Sequence, residues 1–190
     1  MFMEFIRRFN WVDLLILAFL VRIVYSSIQA GIVVELLKLL GALFTVFVCF
    51  HYYVHVGMFL HRITMAPAAW TPPVAFLLLW ILLFVLCWLI RKGLLMLFTI
   101  EAQSFINKWG AVLLGICRFF VVGSMVFFLF MTTGDKYLEK MSLEAFSQKV
   151  VLPVAPKIYN GVCDGFVIKL FPAEKINPDV GEQLKKVNKR

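Results

Sequence analysis

Four stretches of this chain, residues 11–28, 31–56, 74–90 and 109–131, approach or exceed the length of about 20 apolar residues that a helix needs to cross a ~30 Å hydrocarbon core. The third has no charged residue at all. Hydrophobic residues make up 62% of the sequence and 20 of them are Phe, well above the ~45–50% typical of soluble proteins. A soluble core could not absorb that surface, so the surplus must face lipid. The expected fold is all-α: a polytopic membrane protein with a four-helix transmembrane bundle and short amphipathic helices in a C-terminal tail. Residues 1–133 form the expected transmembrane domain and residues 134–190 the amphipathic, partly disordered tail.

Arg7 and Arg8 precede the first apolar run, as in a signal peptide. Asp13 and Arg22 interrupt that run and no small-residue cleavage site follows it, so it is expected to remain as the first helix. Cys49, Cys87 and Cys117 fall inside spans and read as reduced, apolar fillers, and Cys163 stands alone in the tail. The net charge of +8 divides as +5 over residues 1–133 and +3 over residues 134–190. The tail mixes its signs, so the basic balance suits anionic lipid better than nucleic acid.

The charges inside the spans are the main functional signal. An arginine at the bilayer centre costs at least about 3 kcal/mol and cannot lose its proton, so Arg118 needs a partner, a water-filled crevice or a task. Asp13 and Glu35 are the acidic residues within or at the ends of the four spans, and either is a plausible counter-ion. Asp13, Arg22, Glu35, Lys38 and Arg118 form the expected intramembrane charge network. Arg22, Ser26 and Gln29 share one face of the first helix, and Asp13 faces elsewhere. The connection near Gly31 is short, so the first two helices should form an antiparallel hairpin.

Gly31, Glu35, Lys38, Ala42, Thr45 and Cys49 fall at alternating steps of four and three along the second helix. Such a seam of small and polar residues reads either as a packing surface or as a polar pathway. Ala111, Gly115 and Arg118 share a face of the fourth helix, where Gly115 gives a neighbour room to approach. Residues 52–73 read as a loop holding His55, His61, Arg62 and the pair Pro72–Pro73, and residues 94–106 as an interfacial helix. His51 and His55 have metal-ligand spacing, but no acidic residue or cysteine joins them and HYYVH lacks the glutamate of a zincin helix. In the tail, amphipathic helices are expected over residues 137–152 and 157–170, with a capping-type Ser142 and with Pro153 and Pro156 ending the first. No catalytic, cofactor-binding or metal-ligating set is visible.

Trp11-Val12-Asp13 opening the first helix, Gly31-x3-Glu35 opening the second and Gly110…Gly115-x2-Arg118 opening the fourth resemble, over residues 10–132, the bacterial colicin V production protein family. The resemblance implies a bacterial inner-membrane accessory protein of toxin production or envelope homeostasis, with no known reaction and no cofactor. The expected partners are the lipid bilayer and either a second copy of the chain or another envelope protein, with no nucleic acid and no identified small-molecule substrate. The alternative is a subunit of an oligomeric channel or transporter whose polar path is lined by Asp13, Glu35 and Arg118. Lys and Arg near the span ends number six on the N-terminal side and five on the other, which leaves orientation undecided under the positive-inside rule. The resemblance favours both termini on the periplasmic side.

Overall fold

The computed structural model describes residues 11–64, 70–97, 105–133 and 147–163, with Tyr137, Ala145, Gly165 and Val180 in addition. Helices α1 (Trp11–Ala30), α2 (Ile32–Thr64), α3 (Thr71–Leu97) and α4 (Phe105–Thr132) are followed by the short α5 (Gln148–Val151) and α6 (Val154–Val162). The first four are long and apolar enough to cross a membrane.

The α1–α2 reversal depends on one residue. Gly31 has φ 77°, a left-handed conformation that a side chain disfavours, and it lets α2 begin one residue after α1 ends. The Gly31 carbonyl accepts the Glu35 N–H at 3.1 Å, closing the first turn of α2. From α4, Asn107 Oδ1 accepts the Ile32 N–H at 2.7 Å, capping one of the donors that a helix start leaves unpaired.

α2 is the centre of the bundle. α3 runs antiparallel to it, with Gly41 facing Cys87 and Gly57 facing Pro72. α4 runs parallel to α2, and the Phe50 and Phe128 rings meet with centroids 4.4 Å apart. α1 lies antiparallel to α4, with ring pairs Trp11–Phe130 at 6.3 Å and Phe19–Phe119 at 6.5 Å. One apolar core joins Val46, Phe50, Phe76, Met125 and Phe128, and a second joins Val12, Ile16, Ile23, Phe119 and Phe127. The outer faces remain apolar and exposed, including Leu14, Leu17 and Val21 of α1 and Leu78, Leu82 and Val85 of α3, as lipid contact requires.

The helices outlast the apolar runs that announce them. Residues 52–64 continue α2 instead of forming a loop, because Tyr53 and Gly57 keep a buried stripe there. Pro72 and Pro73 lie in the first turn of α3, where a missing N–H has no carbonyl to lose. Arg91 and Lys92 do not end α3, since long basic side chains carry their charge away from the helix axis. Residues 94–97 therefore belong to α3 and residues 105–106 to α4; residues 98–104, the middle of the interfacial helix expected over 94–106, lie outside the described set.

The tail carries the short helices expected of it, with different ends. Of the helix expected over 137–152, Tyr137 and α5 are helical, Ala145 is not, and residues 138–144 and 146, with Ser142, lie outside the described set. α6 begins at Val154 and contains Pro156 in its first turn, for the same reason that α3 tolerates its prolines. Tyr159, Ala155, Val151 and Leu152 are buried within the two cores of the bundle.

Candidate functional site: a buried carboxylate among cations

Glu35 is fully buried and receives two cations. Its Oε2 binds Lys38 Nζ at 2.9 Å, one turn along α2, and its Oε1 lies 2.8 Å from Arg118 Nη2 of α4. The Oε2 contact is a hydrogen bond. The Oε1 contact is an ion pair outside hydrogen-bond geometry, which leaves that oxygen without a hydrogen bond. Lys38 Nζ also donates to Ser26 Oγ of α1 at 3.4 Å. Three helices thus meet through one carboxylate and its neighbours.

Local chain geometry explains how an arginine in mid-span reaches a glutamate near a helix start. Side chains on a helix lean toward its N-terminus. α2 and α4 are parallel, so the Arg118 side chain extends toward the end of the bundle where Glu35 sits. Gly115 stands between them: a Cβ there would lie 3.6 Å from Glu35 Oε1 and would collide with the Ser27 side chain. Ser27 is itself fully buried and donates to the Ile23 carbonyl at 2.7 Å. Gly110 is the second close approach, covered by the Ile32 side chain.

Of the two possible counter-ions, Glu35 is the one beside Arg118. Asp13 is buried at the opposite end of the bundle, where its Oδ1 accepts the Ser147 hydroxyl at 2.6 Å and the Ser147 N–H at 3.0 Å. Arg22 is exposed and makes no ion pair with the described residues. Along the α2 seam, Gly31, Thr45 and Cys49 are buried and Ala42 is half-buried. Thr45 donates its hydroxyl to the Gly41 carbonyl at 2.8 Å. Ala111 on α4 is fully buried.

Sequence reasoning did not anticipate the polar ties of the tail. Ser124, fully buried in α4, donates to the Leu152 carbonyl and accepts the Ala155 N–H at 2.9 Å. Tyr159 is hydrogen-bonded to His51 Nδ1 at 3.2 Å. The available signal was that Ser124 is the one polar side chain between Arg118 and Thr132. His51 therefore faces the tail, whereas His55 is exposed. Among the described residues no group of three or more His, Cys, Asp and Glu gathers as a metal site.

Four membrane-length helices, three of them joined by an internal ion cluster, with the tail folded back among them, define a multi-pass α-helical membrane protein. The sequence model of the colicin V production protein family matches residues 12–156, and the chain belongs to that family. The match extends past the fourth span into α6 and so includes both Asp13 and Ser147. No curated protein and no solved structure matches the chain.

Proposed function

We propose that this chain is a non-enzymatic accessory protein of the bacterial inner membrane. It acts in toxin production or export, or in envelope homeostasis, by assembling with itself or with another envelope component. The observation that carries this reading is the separation of the polar groups. The Glu35–Lys38–Arg118 cluster lies at one end of the bundle and Asp13 at the other, and Ile16, Ile23, Phe119 and Phe127 fill the space between as an apolar core. Charges held this way lock helices together and do not line a continuous path. In this reading, which the family resemblance favours, the α1–α2 turn and the α3–α4 connection face the cytoplasm and both termini face the periplasm.

Crosslinking in native membranes tests the assembly. Single cysteines at Leu78, Leu82 and Val85 of α3, in a background with the four native cysteines replaced, should give specific protein adducts on one helical face. Lipid-only labelling, a monomer on mild solubilisation and full cellular function together would overturn the reading. Conductance of the purified protein in planar bilayers, abolished by Glu35→Gln, would favour a channel instead. A topology reporter fused after Arg190 checks the orientation, and cytoplasmic activity would reverse it.

A further inference from the structure

Among the described residues, the layer around Glu35 holds more positive charge than its carboxylate neutralises. Lys38 and Arg118 both pair with Glu35. Cys87 of α3 packs against Gly41 of α2. In this antiparallel pair Arg91, one turn beyond Cys87, therefore comes level with Lys38, where its charge opposes those of Lys38 and Arg118. Arg91 makes no ion pair or hydrogen bond among the described residues. Among the described residues, three cations against one carboxylate leave an excess of two positive charges in a membrane-embedded layer.

The position of that layer suggests what balances it. Lys38 is six residues into α2 and Arg91 is six residues from the end of α3. At about 1.5 Å per residue, both lie about 9 Å inside the helix ends, the region where headgroups give way to acyl chains. Interfacial aromatics mark the same end: Trp109 is exposed, and Lys92 Nζ sits 4.1 Å over the Trp88 ring. The cations are not sealed off, since the Lys38 and Arg118 side chains keep 12% and 13% of their surface. Lys38 has a third N–H beyond those directed at Glu35 and Ser26. Exposed apolar side chains, Trp88 and Phe84 of α3, stand one and two turns before Arg91 on the same helical face.

We propose that Lys38, Arg91 and Arg118 bind the phosphate of one anionic phospholipid headgroup, whose acyl chains lie along Trp88 and Phe84. A free phosphate ion offers the same donor-to-oxyanion chemistry. The lipid is the assigned source because the layer opens onto apolar surface. In the proposed orientation it lies in the cytoplasmic leaflet, which is rich in anionic lipid. Headgroup binding is independent of what the protein assembles with.

Native mass spectrometry of the full chain in mild detergent tests this, with titration by phosphatidylglycerol, phosphatidylethanolamine or inorganic phosphate. The parent protein should retain one phosphatidylglycerol in preference to phosphatidylethanolamine, and millimolar phosphate should not displace it. Arg91→Gln and Lys38→Gln should each weaken retention about tenfold, the size of one charge-assisted hydrogen bond. Arg62→Gln, at the opposite end of α2, should leave it unchanged. Arg91→Gln should also melt no lower than the parent in lipid-free detergent, because it relieves repulsion. Equal retention by Arg91→Gln and the parent, or equal binding of the two lipids, would overturn the site. Displacement by phosphate alone would overturn the lipid as its occupant, and a lowered melting point for Arg91→Gln would overturn the charge excess.

Discussion

Glu35 and Arg118 are unequal partners, and substitutions should show it. Replacing Arg118 by Leu leaves Glu35 still bound to Lys38. Replacing Glu35 by Gln leaves Lys38 and Arg118 facing one another with no carboxylate between them. Breaking a buried pair by removing one member costs about 3–5 kcal/mol, and Glu35→Gln should fall in that range while Arg118→Leu costs less. Thermal unfolding in detergent, or the amount of folded protein in membranes, measures the difference; equal losses would contradict the shared-carboxylate geometry. A Glu35→Gln/Arg118→Leu double variant should recover only in part, because Lys38 remains unpaired. Gly115 is the second sensitive residue. Gly115→Val must displace the buried Ser27 side chain, whereas Gly110→Ala meets only the flexible Ile32 side chain, so the first should destabilise clearly more than the second.

At the scale of elements, the α2 seam and the tail contacts make separate predictions. Ala42 is half-buried, and Leu43 packs against the core as well, so neither stands in the place of a lipid-facing residue. Leu40 is exposed and takes that place: Ala42→Phe should reduce folded protein more than Leu40→Phe. The tail is tied at two points, Asp13 to Ser147 and Ser124 to Leu152 and Ala155. Ser124→Ala leaves a buried carbonyl and a buried N–H without partners, a loss of about 1–3 kcal/mol. Faster hydrogen exchange over residues 147–163, with the four long helices unchanged, is the expected outcome. Asp13→Ala should loosen the same segment, while Asp13→Asn, which keeps an oxygen acceptor, should do so less.

For the whole molecule, the tail is part of the bundle's interior. Tyr159 is fully buried and its ring stacks 5.9 Å from Phe50, and Val151 lies against Gly123, where an added Cβ would come within 2.9 Å. Tyr159→Ala should therefore cost about 3 kcal/mol or more through the cavity it leaves. Ending the chain at residue 134 should lower the melting temperature of the membrane part itself. Undiminished stability of that shortened chain would mean that the tail only rests on the bundle.

The four apolar runs, the hairpin at Gly31 and the presence of unusual intramembrane charge were legible in the sequence, because each follows from local composition or spacing. Hydrophobic length sets the number of spans, and a glycine between two runs marks the reversal. Arg118 was recognisable as needing a partner, since the desolvation cost of a guanidinium depends on its surroundings alone. Its choice of Glu35 over Asp13 was not, because that choice depends on α2 running parallel to α4 and on Gly115 admitting the contact. Helix ends were underestimated because hydropathy reports the hydrocarbon core, while helical hydrogen bonding continues beyond it through Tyr53, Gly57, Arg91 and Lys92. The tail was the least legible part. Its residues between Ser147 and Cys163 are held by Asp13, Ser124, His51 and Phe50, and contacts that distant along the chain leave no local periodicity. The sequence by itself determined how many helices cross the membrane and which charges need compensation. Only the tertiary structure decided which partners meet and where the tail packs, because those depend on distances between helices that no spacing along the chain encodes.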